Sequence, residues 1–307
     1  MFRAKDFIET AEGLLFAVVA DGEENGKILG FLRYLRSEGR WQKVATDAAN
    51  AHLAQHCPHY LHHSPVLDAA LHGVSRERII KHYRPRQTLQ QLLEQPSPDA
   101  VVADLQHLCG ALTDSGLDLS HAGITGSLLV GLQNHASDID LVFYDRDSFH
   151  RARAIVQALI AQNRCQALGD EDWLSAYQRR ACDFALDEYI WHEERKYNKA
   201  IINQRKFDLS LVAPATAVAK GARKLGLVKI EARVTDDYYG FDYPARFAID
   251  HAEIGEVVCF TATYTGQAQT GEWVTVAGQQ EIDGGGARRI VVGSNREAIG
   301  EYIRVLR

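Results

Sequence analysis

The amino-acid sequence predicts an α+β protein in three segments, and three observations carry that expectation. Near the N-terminus two β-rich runs, Leu14–Ala20 and Ile28–Leu35, flank a polar, glycine-bearing stretch in the manner of a hairpin. In the middle, helix-period and strand-period runs alternate. Toward the C-terminus, β-like runs are punctuated by glycine turns. At 307 residues the chain is long enough for two or three domains.

In the first segment, residues 1–96, the hairpin is followed by helical material. Ala45–Gln55 is rich in alanine, Ser75–Tyr83 reads as a helix capped by Ser75, and Gln87–Gln95 forms another after Pro85 interrupts. Pro96-Ser97-Pro98 reads as a linker and marks the first boundary.

The second segment, 97–213, opens with a helix over Asp99–Ser115, where Val101, Val102, Leu105, Leu108, Cys109 and Leu112 recur at helical spacing. A strand over Asp118–Ile124, a short helix over Ser127–Leu132 and a strand over Asp138–Tyr144 come next. Arg151–Asn163 reads as a helix with Ala154, Ile155, Ala158 and Leu159 on one face. Glu171–Arg195 is mostly helical, and Lys206–Val212 is a further strand.

The third segment, 214–307, carries β runs at Glu256–Tyr264, Glu272–Ala277 and Arg289–Val292, a Gly284-Gly285-Gly286 turn and a closing helix over Asn295–Arg304. A small β-barrel or sheet is the natural outcome.

Composition excludes several classes. With 46% hydrophobic and 24% charged residues the chain is an ordinary globular one. A net charge of −6 is not that of a nucleic-acid-binding polycation. Five scattered cysteines without a CxxC pair read as reduced thiols, and no run approaches the roughly 18–20 apolar residues of a membrane span. The expectation is a cytoplasmic protein.

The chemistry concentrates in HAGITGSLLVGLQNHASDIDLVFYD, His121–Asp145. A strand delivers Gly126-Ser127 to the start of a short helix, where glycine lets a ligand approach the backbone and exposed N–H groups favour phosphate. Alternation along the next strand points Asp138 and Asp140 to one side and Ile139 to the core. Two carboxylates about 7 Å apart repel unless a cation lies between them, and magnesium suits such oxygens. In Lys206–Val212, Phe207, Leu209 and Leu211 form the apolar face while Asp208 lies opposite, as a neighbouring strand of the acidic pair should.

Gly-Ser, then about ten residues, then Asp-x-Asp, with a third acid on a later strand, resembles the DNA polymerase β-like nucleotidyltransferase superfamily. The likeness covers about a third of the chain, and the plan resembles microbial predicted nucleotidyltransferases with flanking domains. It implies a palm-like mixed sheet with helices, flanked by an N-terminal α+β domain and a small C-terminal β domain. It further implies an enzyme transferring a nucleoside monophosphate from an NTP, ATP among them, to a hydroxyl acceptor by a two-Mg²⁺ mechanism, with Mn²⁺ as the substitute ion. By the same resemblance, Gly126 and Ser127 would contact the β- and γ-phosphates, Asp138 and Asp140 would ligate both metals, and Asp208 would ligate the catalytic one. The acceptor stays open among RNA, protein and small molecule, as do nucleobase and a homodimeric state. The alternative is a non-catalytic nucleic-acid-binding protein with a degenerate transferase domain.

Two basic stretches and a histidine-rich one complete the reading. In His192–Asp208, Lys199 and Arg205 are candidate nucleotide ligands. Arg76–Arg86 reads as an exposed basic face, with an RNA-contacting edge as its rival. His52 and His56 stand four apart, but Pro58 and a single nearby thiol favour a structural or pH-sensitive role over zinc.

Overall fold

The computed structural model describes residues 1–65, 69–94, 96–180, 182–213, 222–294 and 299–307. The architecture is α+β, with seven helices among the described residues and three sheets. The first strands are β1 (Phe7–Thr10), β2 (Leu14–Val18), β3 (Lys27–Ser37) and β4 (Arg40–Lys43), followed by α1 (Thr46–His56), β5 (Leu61–Ser64), β6 (Ala69–Ser75) and β7 (Ile79–Tyr83). Then come α2 (Pro85–Glu94), α3 (Ala100–Asp114), β8 (Ala122–Thr125), α4 (Gly126–Val130), β9 (Ile139–Phe143) and α5 (Arg146–Ala161). Next are α6 (Asp170–Arg180), α7 (Leu186–Glu194), β10 (Lys199–Ile202) and β11 (Arg205–Leu211). The last are β12 (Arg223–Asp236), β13 (Ala245–Asp250), β14 (Glu256–Cys259), β15 (Trp273–Ile282), β16 (Arg288–Val292) and β17 (Tyr302–Val305).

Two compact units emerge, residues 1–152 with 202–212, and residues 153–201 with 213–307. They cut the chain differently from the three expected segments. In the first unit, Phe7, Leu15 and Tyr34 of the N-terminal sheet pack with Leu129 of α4, so no break falls at the Pro96-Ser97-Pro98 linker. In the second, Trp173 and Tyr189 of α6 and α7 share a core with strands β12 to β17.

The N-terminal sheet runs β5-β6-β3-β2-β1-β7, with β4 on β3. The expected hairpin is β2 and β3, antiparallel. Its other face buries Phe16, Ile28, Leu32 and Val74 against Ala49 and Leu53 of α1. The second sheet runs β10-β11-β9-β8. The third closes on itself, because β12 pairs with both β13 and β15, giving a five-stranded barrel with β17 added on β15.

Several expectations change. Ser75–Tyr83 is not a helix. After one short turn, Arg76–Arg78, the chain extends as β7 on β1, and Ser75 makes no side-chain cap. Two consecutive isoleucines favour the strand once an edge is available. Pro85 opens α2 instead of interrupting it, since the first helical turn needs no N–H there. The strand expected over Asp118–Ile124 is confined to β8, because Asp118 caps a turn through the Ser120 N–H at 2.8 Å. On α5 the buried residues are Phe149, Ala152, Val156 and Leu159, while Ala154 and Ala158 are exposed. The end of the expected closing helix, from Tyr302, belongs instead to β17 (Tyr302–Val305), and residues 295–298 lie outside the described residues.

Candidate active site

The Gly-Ser turn, the first acidic strand and the later acidic strand meet in the first unit. Strand β9 is central, antiparallel to β8 and parallel to β11. In register, Asp140 stands opposite Thr125 on one side and Asp208 on the other. Neighbouring strands are about 4.8 Å apart, so alternation along each places Asp140 and Asp208 side by side on one face. Ile139, Leu141, Phe207 and Leu209 are buried on the opposite face, which fixes that register. Asp138 immediately precedes β9 and is exposed.

Gly126 closes the site from the β8 side. Its φ is +69°, and a Cβ there would lie 2.3 Å from the Asp140 Oδ2. Glycine is therefore required twice, by the left-handed backbone and by the carboxylate lying against it. Ser127 follows in α4, partly buried, its carbonyl accepting from the Leu132 N–H at 2.9 Å. The electrostatics match this crowding. Burial foremost, then Asp208 and Asp138, pushes the Asp140 carboxyl up to about 6, against the opposing charges of Lys5 and Lys43.

Arg205 and Lys199 take other partners than the phosphates expected of them. The Arg205 guanidinium donates to Asp104 at 2.7 Å and to the carbonyls of His135 and Ser137 at 3.0 and 2.7 Å. It fixes the loop that delivers Asp138. Lys199, in the second unit, pairs with Glu193 at 2.8 Å, and Glu193 also holds the buried Lys196.

Residues that sequence reasoning missed come from the segment just before β1. Ala4 packs against Val142, Tyr144 and Val212, whose alternation puts them on the face of Asp140 and Asp208. Arg3 lies over the Tyr144 ring at 4.4 Å. The Thr125 hydroxyl donates to the Lys5 carbonyl at 3.0 Å. The segment lies more than a hundred residues from Asp140 and bears no local motif.

The Arg76–Arg86 stretch is tied down internally: Arg76 to Glu23, Arg78 to Glu12 at 2.9 Å, and His82 to Asp6 at 2.7 Å. In the histidine-rich segment, the buried His72 accepts from the Leu32 N–H at 2.8 Å and contacts the Asn50 Oδ1 at 2.9 Å. Burial holds it down to about 4. His62 pairs with Glu24 at 2.9 Å. Among the described residues, no three His, Cys, Asp or Glu side chains are gathered so as to hold a metal ion between them. Two carboxylates in register remain a fit for magnesium, which takes one or two carboxylates and completes its shell with water and substrate phosphates. Among the described residues no helix is long and apolar enough to cross a membrane.

No family model matches the sequence, and no solved structure matches it. The chain is 34% identical to the uncharacterized protein MJ1086 of Methanocaldococcus jannaschii, over 99% of both chains. Identity at that level across the whole length makes this chain a member of the MJ1086 family.

Proposed function

We propose that the chain is a nucleotidyltransferase, moving a nucleoside monophosphate from an NTP to a hydroxyl acceptor on a palm-like sheet formed by β11, β9 and β8. The observation that carries this reading is the pairing of Asp140 with Asp208 across parallel strands, with Gly126 against Asp140. Such a face is poor at standing alone and good at holding a hard cation beside phosphate. Magnesium bound there would neutralise phosphate charge and make the acceptor hydroxyl more acidic.

The protein's own groups divide the remaining work. Asp140 and Asp208 would hold the cation, with Asp138 at the mouth. Gly126 and Ser127, at the start of α4, would contact the β- and γ-phosphates. Asp208 orients the acceptor and receives its proton. The acceptor oxygen then bonds to the α-phosphorus as the α–β bridging P–O bond breaks, and pyrophosphate leaves with the electron pair. Catalysis of this kind rests on positioning and charge, not on a covalent intermediate. A cytoplasmic site of action accords with five free cysteines, four of them buried.

The test is Mg²⁺-dependent transfer from each α-labelled NTP to RNA, protein and small-molecule acceptors. Wild type should label at least one acceptor class, and Asp140→Asn and Asp208→Asn should abolish it. Labelling that survives both substitutions, or no labelling by wild type with any pair, would overturn the reading.

A further inference from the structure

The acids face a second wall, and its make-up adds something the catalytic motif does not contain. Lys5 sits in a turn with φ of +75°, in the left-handed region that an L side chain rarely adopts. Its backbone is held at both ends, the N–H donating to the Val18 carbonyl at 2.9 Å and the carbonyl accepting from Thr125. Thr125 is the residue paired with Asp140 and the neighbour of Gly126. A strained lysine is thus latched to the strand that bears the Gly-Ser turn, while Ala4 beside it packs on the acid-bearing face.

A second lysine arrives from strand β4. Lys43 of β4 is the cross-strand partner of Tyr34, which puts both on one face. Tyr34 is buried and packs with Leu129 of α4. Burial first raises the Tyr34 phenol, Arg33 opposes this, and the Asp140 charge raises it further. Lys5 and Lys43 are both exposed, and neither ammonium forms an ion pair among the described residues. They differ in this from Lys199 and Arg205, which form ion pairs with Glu193 and Asp104.

We infer that the turn before β1 and strand β4 supply the polyphosphate clamp of this site, with Lys5, latched through Thr125, and Lys43 gripping the β- and γ-phosphates that leave as pyrophosphate. The inference rests on the nucleotidyltransferase reading and extends it. The clamp follows from where the two cations are held, and it makes the first unit a single functional body. Strain at Lys5 has a use here, since it aims an ammonium that an unstrained turn would not. The compact phosphate oxygens suit lysine as a point charge.

Inorganic tripolyphosphate with Mg²⁺ is the probe, because it carries no base, and calorimetry reads its affinity for the full chain. Each of the four NTPs with Mg²⁺ is titrated in parallel. Lys5→Gly suits the test, since glycine accepts φ of +75° and keeps the fold. Loss of a charge-assisted contact should weaken tripolyphosphate binding about tenfold to hundredfold in Lys5→Gly and by a similar factor in Lys43→Met. Lys5→Arg should recover part of the affinity. Lys224→Met, an equal loss of charge at an exposed position of the second unit, should bind as wild type. Wild-type affinity in Lys5→Gly and Lys43→Met, with NTP binding intact, would overturn the clamp and leave the transferase reading standing. A wild-type chain that binds neither tripolyphosphate nor any NTP would overturn both.

Discussion

Replacing Asp140 by asparagine should make the metal-free protein more stable at neutral pH while abolishing its function. The Asp140 carboxyl is displaced from an ordinary 3.8 to about 6, burial being the larger cause and Asp208 the next. At about 1.4 kcal/mol per tenfold in proton affinity, this corresponds to ~3 kcal/mol. The sign follows from proton uptake. Between pH 3.8 and 6 the folded state holds a proton that the unfolded chain has released, so the wild type is penalised as pH rises. The penalty is fully present above pH 6 and absent below 3.8. Asp140→Asn removes it and should gain up to ~3 kcal/mol at pH 7.5, a rise in the melting temperature of about 6–12 °C for a unit of this size. The gain should shrink from pH 6 downward and vanish near pH 4. Asp208→Asn should gain less, because it relieves repulsion but not burial. Urea and thermal melts by circular dichroism in EDTA, from pH 4 to 8, measure this. Adding Mg²⁺ at pH 7.5 should stabilise the wild type and leave Asp140→Asn unmoved, as binding to the folded state alone requires. An Asp140→Asn protein no more stable than wild type at pH 7.5, or a gain independent of pH, would refute the electrostatic account of the site.

Three further outcomes are expected. Gly126→Ala should lose about 1–2 kcal/mol through its left-handed backbone and, by displacing the Asp140 carboxylate, cut transfer about a hundredfold, read by melts and by labelling. His72, held near 4 by burial against an ordinary 6.5, makes stability full above pH 6.5 and lowers it by ~3 kcal/mol as pH falls to 4; His72→Gln should flatten that slope in acid titrations. Arg205→Met leaves the His135 and Ser137 carbonyls without this donor and Asp104 with only the Asn203 amide, and should cost about 2 kcal/mol and weaken Mg²⁺-dependent transfer through the Asp138 loop, measured as Tm against activity.

Much of the site was legible in the sequence because its signals are local. Gly126-Ser127, Asp138 and Asp140 sit within one strand-turn-strand passage, and two-residue alternation assigns the acids a face without knowledge of the partner strands. The amphipathic run about Asp208 was readable for the same reason, and its register opposite Asp140 agrees with the neighbouring strand expected of it. Helix α3 was equally plain, with Val101, Val102, Leu105, Leu108, Cys109 and Leu112 all buried and Asp99 capping it. Long-range pairing was not legible. Ser75–Tyr83 and Tyr302–Val305 carry patterns that suit helix or strand, and only the available edges of β1 and β15 decide between them. Basic side chains posed the same problem, because a charge is defined by its partner. Arg205 and Lys199 lie close to Asp208 in sequence yet pair with Asp104 and Glu193. Lys5 and Lys43 lie far away in sequence, and tertiary packing brings their uncompensated charge to Asp140. The sequence alone determined which residues carry the acids and the close-approach turn, since strand alternation and glycine's missing Cβ are properties of the chain itself. Tertiary structure decided which cations face those acids, since Coulomb energy depends on distances that folding alone creates.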